Sequence, residues 1–291
     1  MNKIVKDVKN KLISLLKEFN HDILMGTIYD WKKYIVIIFI FIFLCLGFQR
    51  RVHLEISCGE IQSLPTFADY VIDIYKGMDI FEANNKMERF EIPSGWIVMN
   101  IYISFIVGYY PLNDLKTYSP HILLRSKSRS QWWFSKCMWI TASVFIYYSI
   151  AYIIIGIFAL FNGGISLVPT YDINILVSDI DTYNFTWQQV AFTAMVLPII
   201  TSGAFSLLQM FISLFSNSIV SNMVSITIII VSAYYCNPFL IGNYLMIWRN
   251  SIVISSKGVT TNMGIGIGIF ISIMSIWVGS IKFKKVDILS K

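Results

Sequence analysis

An all-α integral membrane protein with six transmembrane helices is the fold class predicted by three observations. Of 291 residues, 56% are hydrophobic and only 14% are charged, against roughly 25% charged in an ordinary soluble domain. The mean hydropathy is +0.63. The apolar residues lie in continuous runs, not in the alternating segments of about ten residues that make a transmembrane β-barrel. The 15% aromatic content also excludes a disordered chain. A net charge of +6 then reads as charge sorted by membrane side, not as a nucleic-acid footprint.

Residues 1–33 form a cytoplasmic lead-in whose main feature is an amphipathic helix over 3–19. With residues placed about 100° apart, Val5, Val8, Leu12, Leu15, Leu16 and Phe19 fall within an arc of about 100°. Lys3, Lys6, Asp7, Asn10, Ser14, Lys17 and Glu18 take the other side. Such a helix is too short and polar to span, so it lies in the headgroup plane. It serves there as a lipid anchor or as a platform for a cytosolic partner.

The transmembrane domain, 34–291, holds apolar runs at 34–48, 96–112, 137–161, 188–212, 218–236 and 263–281, each near the length of about 20 residues a span needs. The first is short, but Trp31, Lys32, Lys33, Arg50 and Arg51 flank it and can reach the headgroups. No small-residue cleavage site follows it, so it is expected to stay as an anchor. Only Ser216, Asn217 and Ser218 separate the fourth run from the fifth. Pro198 is tolerated inside a span, and Gly264, Gly266 and Gly268 permit close helix packing.

With the N-terminus inside, 16 of the 23 Lys and Arg residues fall on the cytoplasmic side, as the positive-inside bias requires. Both termini are then cytoplasmic. The loop 49–95 and the segments 162–187 and 237–262 are extracellular. The 49–95 loop holds eight acidic residues, and within it 63–81 has apolar residues at helical spacing, which predicts an external helix. Cys58 and Cys236 fall on the same side and could pair there, although small apolar fillers plus a free loop thiol is the simpler reading. Asn184-Phe185-Thr186 is a glycosylation acceptor only in a eukaryotic secretory pathway, and the Ile, Lys and Asn usage looks bacterial. The cell membrane of a bacterium is therefore the expected location.

The cytoplasmic loop 113–136 carries a second local signal. After Pro120, a short helix starting at His121 would hold Ile122, Leu123 and Leu124, followed by Arg125, Lys127 and Arg129. Trp132 and Trp133 then read as interfacial anchors. Such a loop is either a topology determinant or a docking surface for a soluble subunit.

The spans as drawn contain no Asp, Glu, Lys, Arg or His. Ion-coupled transporters place such residues in the membrane, so coupling to protons or ions is disfavoured. Asn100, Gln209 and Asn222 remain, as bonds across helices or as the lining of a transit path. The chain has no phosphate-binding loop and no H-E-x-x-H motif, and His21, His53 and His121 lie far apart. No nucleophile, base and orienter converge and no metal-ligand spacing occurs, so the chain is expected to be neither an enzyme nor a metal or cofactor binder.

With its amphipathic helix at 3–19, six spans, a basic helical loop at 114–135 including LLRSKSRSQWWFSK at 123–136, and the stretch 237–262 before the last span, the layout resembles the permease subunit of ABC-2-type (type V) ABC exporters. It is most similar to the small Firmicute kind found in peptide-export and immunity systems. The resemblance implies export of an amphipathic peptide or lipid-like substrate by a dimer of permease chains. Two cytosolic ATPase subunits would hold the ATP and Mg. It makes 114–135 the coupling helix, with the N-terminal helix beside it, and 237–262 a pair of short re-entrant helices. The long 49–95 loop departs from the smaller family members. A membrane-embedded sensor or immunity protein, binding a ligand with that loop and transporting nothing, is the alternative.

Overall fold

A computed structural model describes residues 2–81, 90–117, 129–183, 185–255 and 257–285. Helices dominate. α1 (Asn2–Ile23) runs through a π-helical turn at Leu24–Ile28 into α2 (Lys32–Cys58), which ends at Gly59 in the left-handed conformation, φ 81°. α3 (Phe67–Tyr75) follows, then α4 (Ser94–Gly108), continued by α5 (Tyr110–Thr117). α6 (Arg129–Leu160) and α7 (Tyr171–Val177) lead to α8 (Trp187–Ser213), which carries a π-helical stretch at Ala191–Val196. α9 (Ser218–Tyr234) and α10 (Thr261–Phe283) complete the order. No β-strand occurs among the described residues, only an isolated bridge between Asn250 and Val259.

Among the described residues five helices are long and apolar enough to cross a membrane: Lys32–Cys58, Ser94–Leu115, Arg129–Leu160, Trp187–Ser213 and Thr261–Phe283. The sixth expected span is the helix Ser218–Tyr234, which at 17 residues is about 26 Å long, short of the roughly 30 Å hydrocarbon core. The turn expected at 216–218 is present, and the Asn217 side chain caps α9 by accepting the Val220 N–H at 2.8 Å.

α2 shows how the apolar runs divide their faces. Ile37, Phe41, Cys45, Phe48 and Val52 recur every three or four residues and are fully buried, whereas Phe39, Phe43 and Leu46 are exposed. A stripe inside and an apolar face outside suit a helix with protein on one side and lipid on the other. α6 forms the centre, with Trp139, Ile140, Tyr147 and Tyr148 buried. α8 and α10 approach closely where a Cβ on Gly268 would stand 2.9 Å from Ile200 Cγ2, so two of the expected packing glycines serve that role, Gly264 doing so against Tyr244 and Leu197.

Three expectations change. α6 begins at Arg129, not at 137, because the polar and aromatic residues ahead of the apolar run have partners inside the protein. The 237–262 stretch holds a single 3-10 turn, Ile241–Leu245, among its described residues, not two re-entrant α-helices. Here Asn243 and Arg249 bind backbone carbonyls that further helix would otherwise engage. Cys58 and Cys236 are both free thiols, so the pairing does not form. The helix expected within 63–81 is present as α3, and all nine of its residues are buried.

Candidate functional site

The end of the bundle that holds α1 is organised by one lysine. Lys136, on the first turns of α6, is 1% exposed, and its ammonium lies 2.5 Å from Asp22 Oδ1 and 2.7 Å from Asp114 Oδ2. Asp22 also accepts the Ser135 hydroxyl at 2.5 Å and the Tyr110 hydroxyl at 2.9 Å, and Asp114 accepts the Trp132 indole N–H at 3.2 Å. The Lys136 ammonium stands 4.5 Å from the centre of the Tyr110 ring, close enough for a cation–π contact. Two carboxylates around one cation would be expensive to bury without these donors. Glu18, one turn before Asp22, has its carboxyl pushed up from 4.5 to about 7, by burial first and by the Asp22 charge second, with Lys136 opposing.

This cluster joins α1, α5 and α6. Phe283 at the end of α10 adds a fourth element, with its ring stacked on Trp132 at 4.7 Å. Trp132 and Trp133 are 6% and 1% exposed, so they pack inside the protein instead of facing the headgroups. Trp133 donates its indole N–H to Ile276 O at 3.0 Å. Arg129 donates to Lys284 O at 3.1 Å. His121, Ile122, Leu123, Leu124, Arg125 and Lys127 lie outside the described residues, as do the side chains of Val5 and Val8. On α1, Leu12 and Leu16 are exposed, Leu15 is half-buried, and Phe19 packs against the core. The apolar face is therefore divided between protein and surroundings.

The three amides expected as glue or as a path sit in the helix interfaces. Gln209 on α8 accepts the Ser104 hydroxyl at 2.8 Å, donates to Ser104 O at 3.0 Å and donates to Asn222 Oδ1. It thereby ties α4, α8 and α9 together. Gly108 makes the approach possible, since a Cβ there would collide with both amides. Asn100 donates to Trp96 O within its own helix at 2.8 Å. Gln209 and Asn100 are buried, and Asn222 is half-buried.

At the opposite end, α3 is fixed by its acids. Asp69 accepts the Thr66 N–H at 2.8 Å, closing a capping box, and receives Thr170 N–H at 2.7 Å and Asn174 Nδ2 at 2.6 Å. Burial raises its pKa while these bonds pull it down. Asp73 pairs with Arg51 at 2.5 Å and Lys76 at 3.4 Å. Arg249 is completely buried, donating to Ser232 O, to Ala233 O at 2.6 Å, to Asn243 Oδ1 at 2.5 Å and to Asp79 O at 3.2 Å. It supplies the donors that the C-terminal carbonyls of α9 lack. Burial lowers its pKa.

Beside these groups lies a half-open cavity of about 600 Å³ between α2, α3 and the stretches 76–81 and 91–96. Its walls are apolar at Phe43, Leu44, Trp96 and Trp248 and charged at Arg51, Asp73, Lys76, Asp79, Glu91 and Asp179. No group of His, Cys, Asp or Glu suited to a metal ion occurs among the described residues.

A bundle of long apolar helices, stitched by buried polar clusters at both ends, defines a polytopic membrane protein of the multi-pass helical class. Residues 61–289 match the family described as "Protein of unknown function (DUF2705)", and the chain belongs to that family. No curated protein and no solved structure matches it.

Proposed function

We propose that the chain is the membrane-spanning permease subunit of an ATP-driven ABC exporter, with six transmembrane helices and both termini in the cytoplasm of a bacterial cell. It moves an amphipathic peptide or lipid-like substrate outward and works as one of two permease chains over two copies of a cytosolic ATPase. The observation that supports this most is the Lys136 cluster. It binds α1 to both flanks of the basic loop, Asp114 on one side and Lys136 on the other. A push on that loop is thereby passed to α1 and to α6, the central helix. The amphipathic character of α1 supports a membrane-surface position. The buried amide network across α4, α8 and α9 suits helices that move as one body.

The test is charge reversal. With the chain co-expressed beside its candidate ATPase, changing Arg125, Lys127 and Arg129 together to Glu is expected to lose the complex or uncouple its ATP hydrolysis. An unchanged complex with unchanged hydrolysis would show that the loop does not couple. The cavity lined largely by the 49–95 loop favours, as a second reading, a ligand-binding sensor or immunity protein without transport. That reading predicts a chain that binds its ligand with no ATPase attached.

A further inference from the structure

The cavity at the end opposite α1 plays no part in the exporter reading, and its polarity runs in a definite order. Along α2 its wall passes from Phe43 and Leu44, inside the apolar run, past Gly47 to Arg51. That is a climb of about 12 Å along the helix axis, from the apolar run to the first charges beyond it. Phe43 is 77% exposed, so the lower wall is continuous with the lipid-facing side of the helix. The upper part is charged with both signs. Arg51 and Lys76 share the single carboxylate of Asp73, which leaves one positive charge in excess on that wall. The same cavity is lined by Asp79, Glu91 and Asp179, which are exposed; none of the three has an ion-pair partner among the described residues, and Asp79 alone feels the charge of the buried Arg249.

We propose that this cavity binds one zwitterionic phospholipid drawn sideways from the bilayer. Its phosphate faces Arg51 and Lys76, its ammonium faces the three carboxylates, and its first acyl carbons lie along Phe43 and Leu44. The volume falls within the range of about 300–1,000 Å³ usual for ligand sites. An anionic lipid without an amine, such as phosphatidylglycerol, brings no cation for the carboxylates, and a purely cationic amphiphile leaves the Arg51 and Lys76 excess unanswered. Electrostatic complementarity of this kind sets selectivity more than strength. The site needs no ATPase, so its failure and the failure of the exporter reading are read separately.

Native mass spectrometry of the purified chain in a neutral detergent tests this, with dioleoyl phosphatidylethanolamine, phosphatidylcholine and phosphatidylglycerol added singly and in competition. The zwitterionic lipids are expected as a single adduct, retained over phosphatidylglycerol by about fivefold, the ratio that partly exposed ion pairs supply. The variant D79N/E91Q/D179N is expected to bring the three lipids to parity. Asn suits position 179, where φ is 57°, because Asn tolerates the left-handed region. Gly47→Leu is the control for folding: Gly47 lines the cavity and a Cβ there meets nothing within 4 Å, so a side chain can start there without displacing its neighbours. It should abolish the adduct with the thermal midpoint unchanged. Phosphatidylglycerol bound as well as the others, selectivity that survives the triple variant, or an adduct unaffected by Gly47→Leu would overturn the proposal. Preferential displacement of the lipid by dodecylamine would overturn it too, by marking a site for cations alone.

Discussion

Single side chains carry unusual weight in this protein because they are buried with their charges. Lys136 bridges Asp22 and Asp114 at 2.5 and 2.7 Å. Removing it by Lys136→Met leaves two carboxylates facing each other without a cation, a loss of about 3–5 kcal/mol. The expected result is a much lower unfolding midpoint in detergent. Adding Asp22→Asn and Asp114→Asn should recover most of it, since an uncharged cluster needs no counter-ion. A single variant that melts like the wild type would show that the cluster contributes nothing. Arg249 makes a sharper demand. Its fork reaches carbonyls at the end of α9 and the Asp79 backbone on a separate stretch, a geometry that the single ammonium of Lys does not reproduce. Arg249→Lys is therefore expected to destabilise nearly as much as Arg249→Ala. Full rescue by Lys would mean that charge alone matters there.

At the scale of elements, α1 is held by a cluster that contains a titratable neighbour. The Glu18 carboxyl moves from 4.5 to about 7 on docking. The docked state thus binds the proton more tightly than the undocked one. The Glu18 contribution to docking is fully present below about pH 4.5, is lost as pH rises through about 7 and is absent beyond. Hydrogen exchange of α1, corrected for intrinsic rates, should accordingly speed up between about pH 5.5 and 8. Glu18→Gln should remove the dependence, whereas a flat wild-type profile would contradict the assignment. Across α4, α8 and α9, Gln209→Leu should cost about 0.6–1.7 kcal/mol, the range for hydrogen bonds between membrane helices, measurable by unfolding in mixed micelles. The apolar runs, the 216–218 turn and the α3 segment were legible in the sequence, because hydropathy and periodicity are local quantities. The Lys136 cluster was not, since Asp22 and Lys136 are 114 residues apart. Polar residues just outside an apolar run look identical whether they face water or a buried partner. Trp132 and Trp133 misled for the same reason: interfacial and buried tryptophans share one composition. Arg249 in a loop offered no local sign that it would cap the end of a helix at Ala233, 16 residues upstream.

For the whole molecule, the scarcity of charge has a more specific meaning than membrane residence. The few charges inside the outline are spent on joints: one at the α1 end, linking the amphipathic helix to the flanks of the basic loop, and two elsewhere, linking α2 to α3 and α9 to the Asp79 stretch through Arg249. The middle of the bundle is held by amides and hydroxyls. Such a bundle has rigid corners and an uncharged interior, which suits a subunit moved by a partner's ATP hydrolysis better than one moved by ions. The most direct measurement is affinity purification of the tagged chain from its native membrane in a mild detergent, with the co-purifying proteins identified and ATP hydrolysis assayed. A nucleotide-binding subunit at one copy per chain, with hydrolysis that disappears when that subunit is removed, is the predicted result. A chain that emerges without a nucleotide-binding partner, from membranes in which its neighbours remain intact, would contradict the exporter reading.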